Sequence, residues 1–436
     1  MRISTGIAVT AVASSLLLLS TAAARADVPL APFYATVSQM TPAGSLGQVV
    51  KTEEISTPVA GARAWRIAYV SSDAQDRKTL ATGLVVAPSG PAPAGGRPIV
   101  AWSHGTTGAA NNCGPSQIIN PAQPLNEYFL IGGDSWTDYG LPSVDKFIAD
   151  GYVVVATDYQ GQGGGGHHQY AVAATNGRDL INSVRAAASL KELGAGKRAF
   201  AFGWSQGGGA ILAAASMPGY IAQTGTAADG ISFVGFAGLA PDDVAVTIPS
   251  GINTEPAAEK MLGELATTFS DNAFDFTHFV MTMWGTQAAF PGLNMTDAFT
   301  SDGAKAIDEI ITKKCIHSMA DTITYNYGSG YKALLSPAPT NALAWVNALI
   351  KGSVKPVKPV APVIIFWGTK DVTVPPVMGK LYREQMCKIG ANITRIQLPG
   401  EQTHYTTPGA SAPYYVPWAE DRFAGKPLPN GCAAPD

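Results

Sequence analysis

One short segment constrains the fold of this chain more than any other, and it lies at residues 203–208. The segment reads Gly-Trp-Ser-Gln-Gly-Gly and directly follows the apolar run 198–202. An apolar strand, a Gly-x-Ser-x-Gly turn and a helix of small residues predict a sharp strand-to-helix turn that exposes the hydroxyl of Ser205 above a sheet. Because the chain contains 47 glycines, such a match can arise by chance, and the rest of the sequence must support it.

The first 26 residues predict an export signal. Residues 7–19 are apolar after a basic start, and Ala24-Arg25-Ala26 has the A-x-A form of a cleavage site. A retained membrane anchor is the alternative, although the apolar run is shorter than a spanning helix needs. We therefore expect a secreted protein, extracellular or in the periplasm or cell envelope, after cleavage near Ala26.

Size and charge limit the classes of partner. A mature chain of about 410 residues can form one large domain with an insertion, or two domains. The formal charge is −3, and it becomes −5 when the signal removes Arg2 and Arg25 but no acid. No basic cluster favours nucleic acid or an anionic membrane as a partner. The sequence indicates no oligomeric state.

The four cysteines favour disulfides over metal binding. An even number of cysteines in an exported chain predicts two disulfides, and the spacing contains no C-x-x-C pair typical of zinc sites. Three pairings remain open from the residues alone; the cysteines are Cys113, Cys315, Cys387 and Cys432.

Apolar runs alternate with helical patterns along most of the chain. Residues 27–60 are expected to wrap the surface, and runs 65–70 and 80–86 predict an antiparallel pair of strands. Leucine, valine and alanine recur every three or four residues over 180–193, which predicts a helix that ends at Gly194. Six further runs predict buried strands: 99–102, 152–156, 198–203, 231–236, 363–367 and 393–398. This order predicts a mostly parallel sheet with helices on both faces.

A long connection interrupts that alternation. More than 120 residues separate the strands at 231–236 and 363–367, far more than a crossover needs. We expect residues 241–345 to form an inserted, mainly helical cap between two parts of the core, 27–240 and 346–436. Most of the cap's aromatic and methionine side chains should pack its own interior, and part of them is expected to line an acyl pocket.

Two further residues complete a catalytic set with Ser205. In the α/β-hydrolase fold the order along the chain is Ser, Asp or Glu, then His. Asp371 follows the strand 363–367 at the active-site edge of a parallel sheet, and His404 lies in the loop after the last strand. A neutral histidine can remove the serine proton, and a carboxylate can hold that histidine in the correct tautomer.

Alternatives exist for the acid and the base. Asp371 could instead cap the helix predicted at 376–389, and Asp242 or Asp243 could supply the carboxylate, although both also fit a turn. The other five histidines are less suitable because they lie in a glycine loop, in a separate motif, or at packed or surface positions of the cap: His167, His168, His104, His278 and His317. The adjacent pair in the glycine loop lacks a spaced third metal ligand.

An oxyanion hole needs two backbone N–H groups that point at the developing negative charge. We expect one from Gln206, at the start of the helix after the serine, where the helix dipole also helps. The second is expected from Thr106, with Gly105 as the next choice, in the loop after strand 99–102. The side chain of His104 is expected to order this loop.

The sequence resembles the secretory lipases of the Candida antarctica lipase A type, which are α/β-hydrolases with a helical cap. The resemblance covers nearly the whole mature chain. It rests on the turn at 203–208, Asp371 before Val-Pro, and four further segments: 102–107, 113–116, 151–161 and 384–393. It implies Ser205, Asp371 and His404 as catalytic residues, and disulfides Cys113–Cys315 and Cys387–Cys432.

This chain departs from the yeast lipase in three places. The oxyanion loop reads His104-Gly105-Thr106, Gln206 replaces a glycine, and the tail ends soon after Cys432. We expect a serine carboxylic-ester hydrolase, a lipase for acylglycerols or other apolar esters, with transient contact to a lipid interface and no metal or organic cofactor. The alternatives are an esterase for short-chain or polyester substrates, an acyltransferase, and a catalytically silent binding protein.

Overall fold

The computed structural model describes residues 30–434 of the chain, so the predicted export signal lies outside the described residues. Nine strands in this part of the chain form one sheet: β1 (Val49–Ile55), β2 (Ala62–Ser72), β3 (Lys78–Pro88), β4 (Arg97–Ser103), β5 (Val153–Gln160), β6 (Ala195–Trp204), β7 (Ser232–Leu239), β8 (Val363–Trp367) and β9 (Ile393–Gln397). Their order across the sheet is β1-β2-β3-β5-β4-β6-β7-β8-β9.

The sheet has a parallel and an antiparallel part. Strands β4 to β9 pair in parallel, which confirms the prediction of a mostly parallel sheet. Strands β1, β2 and β3 extend it in antiparallel pairs, and β3 joins β5. The sequence predicted β2 and β3 but not β1, because Lys51, Glu53 and Glu54 mask the strand pattern. Such charged residues are typical of edge strands.

The described residues also form α-helices, with bounds α1 (Pro32–Val37), α2 (Val144–Ala149), α3 (Ala173–Ser189), α4 (Gln206–Ala215), α5 (Pro218–Ile221), α6 (Glu255–Thr268), α7 (Ala273–Ala289), α8 (Ser301–Ile311), α9 (Ile316–Tyr327), α10 (Ala342–Gly352), α11 (Val377–Lys388) and α12 (Thr407–Phe423). Helix α3 ends at Ser189, earlier than predicted, and Gly194 ends a separate 3-10 turn. No helix within residues 30–434 is long and apolar enough to cross a membrane.

Helices cover both faces of the sheet. Along β5, Val153 and Val155 pack on one side with residues of α3, α4 and α11. Val154 and Ala156 pack on the other side with residues of α2 and α12. Since β5 is buried along its whole length, its continuous apolar sequence reflects two covered faces.

The segment between β7 and β8 is helical and has its own core. Helices α6 to α10 bury a cluster that contains most of the aromatic and methionine side chains singled out in the sequence, including Phe276, Met281 and Trp284. Helix α10 spans position 345, so the helices continue to Gly352. We call residues 241–352 the helical segment.

Two disulfides tie distant parts of the chain together. Cys113, in the loop after β4, is bonded to Cys315, the residue that precedes α9. Cys387, in α11, is bonded to Cys432 near the C-terminus. This is the pairing that the family resemblance implies.

Two glycines in helices of the helical segment differ in how closely other backbone atoms approach them. A Cβ atom at Gly285 of α7 would lie 2.5 Å from backbone atoms of Tyr170, whereas one at Gly263 of α6 would meet nothing within 4 Å. Gly285→Ala should therefore lower the free energy of unfolding by about 1–3 kcal/mol through overpacking. Gly263→Ala should raise it by up to about 1 kcal/mol through helix propensity. Urea unfolding measures both, and equal effects would contradict the close contact at Gly285.

Candidate active site

Ser205 lies between β6 and α4 in a conformation that few residues adopt. Its φ is 57° and its ψ is −120°. A Cβ atom at Gly203 would lie 2.3 Å from the carbonyl oxygen of Gly207, and one at Gly207 would lie 2.0 Å from that of Ser103. Both positions therefore require glycine. The conformation of Ser205 is held by two backbone hydrogen bonds, to the carbonyl of Leu239 and from the N–H of Asp242, both 3.0 Å long.

His404 and Asp371 form a buried hydrogen bond. His404 Nδ1 lies 2.8 Å from Asp371 Oδ2, and the residues are 3% and 7% exposed. The other carboxylate oxygen of Asp371 accepts hydrogen bonds from the N–H groups of Thr373 and Val374. Because the carboxylate binds Nδ1–H, the imidazole Nε2 is left as a proton acceptor. Asp371 does not cap α11, since the residue at that cap is Pro376.

The other two acids considered for this role have different partners. Asp243 accepts a hydrogen bond from the hydroxyl of Ser353. Burial, together with the smaller effect of the nearby charges of Asp243 and Asp371, raises the pKa of Asp242 to about 7. The N–H of Asp242 holds the carbonyl of Ser205. The contacts of Asp242 thus support the serine turn through the backbone.

The two predicted oxyanion donors lie near Ser205 on separate elements. Gln206 is the first residue of α4, and its side-chain Nε2 lies 3.1 Å from His168 Nε2 and 3.2 Å from Asn176 Oδ1. Thr106 lines the same cavity as Ser205. Its hydroxyl forms a hydrogen bond with the hydroxyl of Tyr170, with the two oxygens 2.8 Å apart. Their roles as donors to an oxyanion stay predictions.

The loop that carries Thr106 is tightly fixed. A Cβ atom at Gly105 would lie 2.6 Å from the ring of Trp204, so only glycine lets the loop pass this close to the ring. His104 Nδ1 lies 2.6 Å from the carbonyl of Gly105. Burial lowers the pKa of His104 to about 4, so the ring is neutral at pH 7. These contacts agree with a role for His104 in ordering the loop.

Two cavities meet at Ser205. The first, which we call the apolar cavity, contains Ser205 and is lined mainly by apolar side chains, among them Leu265, Phe269, Phe279, Met283, Leu349 and Val374. The second, which we call the His404 cavity, contains Ser205, His404 and Thr106, and its walls include Phe129, Asp138, Phe274, His278 and His317. Ser205 and His404 thus share one small space, next to a second space with mainly apolar walls.

The family model described as secretory lipase matches residues 134–431. The chain belongs to the secretory lipase family. Membership makes it a carboxylic ester hydrolase. Among curated relatives, Lipase 4 of Candida albicans is 23% identical over 414 residues, which is 92% of this chain and 83% of that protein. The secreted triacylglycerol lipase LIP2 of Malassezia furfur is 23% identical over 341 residues, 75% of this chain and 64% of its own length.

Solved structures show the same fold as this secretory lipase. Candida antarctica lipase A aligns with a TM-score of 0.66 at 18% identity, over 93% of this chain and 88% of that one. The rice cell wall degrading esterase LipA from Xanthomonas oryzae, in one variant, aligns with a TM-score of 0.63 at 17% identity, over 87% and 98%. Together with the nine-stranded sheet, these likenesses confirm the predicted α/β-hydrolase fold.

Some residues of the site were not predicted from the sequence of this ester hydrolase. His278 and His317 were expected to be packed or surface residues, but both line the His404 cavity. Phe129 and Asp138 lie in the long loop between β4 and α2, where no motif marks them. His168, rejected as a metal ligand, is fully buried and contacts the side chain of Gln206. The available signal was the presence of two histidines, His278 and His317, among the aromatic side chains of the predicted cap.

The raised pKa values of two buried acids predict how the free energy of unfolding depends on pH. Burial raises the pKa of Glu127 to about 8, helped by the charge of Asp138, and burial raises the pKa of Asp138 to about 7. Both carboxyls titrate near pH 4 in an unfolded chain. The folded state thus holds more protons between about pH 4 and 8, and the free energy of unfolding should fall as pH rises through this window.

The measurement is the thermal midpoint from pH 5 to pH 8. The double variant Glu127→Gln, Asp138→Asn should lose part of the decrease that the wild type shows. Asp134→Asn is the matched control, because Asp134 lies in the same loop but is exposed. A double variant with the wild-type slope would contradict the assignment.

Proposed function

We propose that this protein hydrolyses esters of apolar acids, acylglycerols included, with Ser205 as nucleophile, His404 as general base and Asp371 as the supporting acid. The observation that carries the proposal is the 2.8 Å hydrogen bond between His404 and Asp371, at a cavity that His404 shares with Ser205. The positive φ of Ser205, which costs free energy, supports it further, since such strain is typical of functional sites.

The proposed reaction has two halves. The hydroxyl oxygen of Ser205 forms a bond to the ester carbonyl carbon while its proton moves to His404 Nε2. The tetrahedral intermediate then loses the alcohol, which takes that proton from His404. Water attacks the acyl-enzyme in the same way and gives a proton to His404. The bond to Ser205 then breaks, the serine oxygen takes that proton back from His404, and the acid is released. Asp371 stabilises the imidazolium in both halves.

Backbone donors are proposed to stabilise the negative charge on the carbonyl oxygen. The N–H of Gln206 lies at the start of α4, where the helix dipole favours an anion. Thr106, or Gly105 beside it, is proposed as the second donor. The contacts of Gly105 with Trp204 and of Thr106 with Tyr170 hold this loop before substrate binds, and preorganisation of this kind is what makes an oxyanion hole effective.

The substrate class is inferred from the apolar cavity and from the relatives. The printed name of the Malassezia furfur relative is a triacylglycerol lipase. In this chain the apolar cavity is lined by Ser205 and by side chains of α6 and α7, where an acyl chain would lose contact with water. We propose that residues 241–345 act as a cap, and that the two core parts are 27–240 and 346–436.

We also propose that this protein is exported from the cell that makes it. Family members such as the Malassezia furfur relative carry secretion in their names, and both disulfides suit an oxidising compartment. We propose that a signal peptide of residues 1–26 is removed near Ala26.

Variants of the three catalytic candidates test the mechanism. Ser205→Ala and His404→Ala should lower kcat for a p-nitrophenyl ester by roughly 10⁵-fold, and Asp371→Asn by roughly 10⁴-fold. Ser205→Ala should also lose labelling by a fluorophosphonate probe. Asp242→Asn is the comparison for the other acid, and it should cost far less than Asp371→Asn. Retained labelling and activity in Ser205→Ala would refute the proposal.

A variant within the apolar cavity tests the acyl site. Thr282 of α7 lines this cavity, and Thr282→Phe should shorten it. We expect kcat/KM for dodecanoyl esters to fall about tenfold, with butanoyl esters little changed. Thr267→Phe is the matched control, because both threonines bond a helix carbonyl four residues earlier and Thr267 is exposed. Equal losses for both chain lengths would place the acyl chain elsewhere. Transfer of the acyl group to an added alcohol faster than to water would indicate an acyltransferase.

A further inference from the structure

Ester cleavage by the proposed mechanism assigns the two parts of the substrate to different cavities at Ser205. The acyl group stays on the serine, whereas the alcohol must receive its proton from His404. Ser205 lines both cavities, but His404 lines the His404 cavity and is not among the side chains lining the apolar cavity. If the roles proposed above hold, the alcohol part of the substrate therefore begins in the His404 cavity.

That cavity is small and borders a larger groove. The His404 cavity holds about 260 Å³ of free space, its opening included. The neighbouring groove, which we call the aromatic groove, holds about 950 Å³ and lies between residues 128–129 and helices α7 and α9. Phe129, Phe274 and His317 line both spaces. The shared side chains make the aromatic groove an immediate neighbour of the His404 cavity, and it is the neighbouring space that the acyl chain leaves free for a larger alcohol.

His317 has an unused hydrogen-bonding atom at this border. The residue is 9% exposed, and its Nε2 is buried and has no hydrogen-bond partner among residues 30–434. Its ring stacks on Tyr128, with centroids 4.0 Å apart, and meets the edge of Phe129 at 4.6 Å. Burial lowers the pKa of His317 to about 4, so the neutral ring can donate or accept a hydrogen bond at pH 7. A buried polar atom without a partner costs free energy that a ligand hydroxyl can recover.

We propose that the aromatic groove binds the alcohol part of the ester and that His317 Nε2 hydrogen-bonds a free hydroxyl of that alcohol. The inference rests on the proposed function, because it uses His404 as the proton donor to the alcohol. The substrate class it names is an ester whose alcohol carries an apolar arm and a hydroxyl next to the ester, as in diacylglycerols. The aromatic rings would cover the arm and His317 would select the hydroxyl.

Two esters that differ in one hydroxyl test the role of His317. Octyl octanoate and 2-hydroxyoctyl octanoate share the acyl chain and the alcohol length, and kcat/KM reports the step in which the alcohol leaves. The wild type should prefer the hydroxylated ester about threefold to tenfold. His317→Phe should abolish the preference, and His317→Gln, which keeps a hydrogen-bonding group, should restore part of it.

The control for this comparison is His167→Phe, since His167 is exposed and lines neither the His404 cavity nor the aromatic groove. It should keep the wild-type preference. The inference is overturned if the wild type shows no preference, or if His317→Phe retains it.

A second pair of variants tests the groove without altering His317. Thr324 lines the aromatic groove but not the His404 cavity, and Thr324→Trp should fill part of it. We expect kcat/KM to fall about tenfold for octyl octanoate and to stay unchanged for ethyl octanoate. Asn326→Trp, at an exposed position of α9 outside the groove, should affect neither ester. Equal kinetics for Thr324→Trp and wild type on both esters would overturn the assignment of the groove.

The two proposals fail in different ways. Activity that survives Ser205→Ala refutes the proposed function, and this inference with it. Activity that requires Ser205 but ignores changes at His317 and Thr324 refutes only the assignment of the alcohol site.

Discussion

The backbone at Ser205 is the constraint on which the rest of this structure depends. Two carbonyl groups, those of Gly207 and Ser103, leave no room for side chains at Gly203 and Gly207, so β6 and α4 can approach closely. The strained serine is then held by the end of β7 and the residue at the start of the helical segment. The sheet thus supplies the fixed geometry, and the free energy stored at one residue is offset by backbone hydrogen bonds around it.

The helical segment has two functions in the packing. Most of its large side chains fill its own interior, which makes the segment a stable second core. A smaller set faces Ser205 and forms the walls of the cavities there. The site therefore lies where two hydrophobic cores meet, and the titratable groups at this junction are removed from bulk water. Burial is the largest cause of the lowered pKa at His278 and His317 and of the raised pKa at Asp138 and Asp242.

Much of the fold could be predicted because its signals are local. The buried strands, the sharp turn and the order of Ser205, Asp371 and His404 follow from short patterns, and the hydrogen bond between the last two agrees with that order. The walls of the site could not be predicted. Phe129 and His317 are 188 positions apart in the sequence, and their contact depends on how a long loop lies against α9. Edge strand β1 was not predicted for a different reason, because its charged side chains obscure the alternation of apolar and polar residues.

The Cys113–Cys315 disulfide has a consequence for how the site can open. It closes a loop of 202 residues, and Ile316 N–H also bonds the carbonyl of Thr107. Closing so long a loop stabilises a fold by about 5 kcal/mol in the chain-entropy model. The start of α9 is thereby tied to the loop that bears Thr106, and both elements contribute lining residues, His317 and Thr106, to the His404 cavity. A thiol reductant would therefore loosen the link between two parts of the cavity lining without reacting with Ser205, His404 or Asp371.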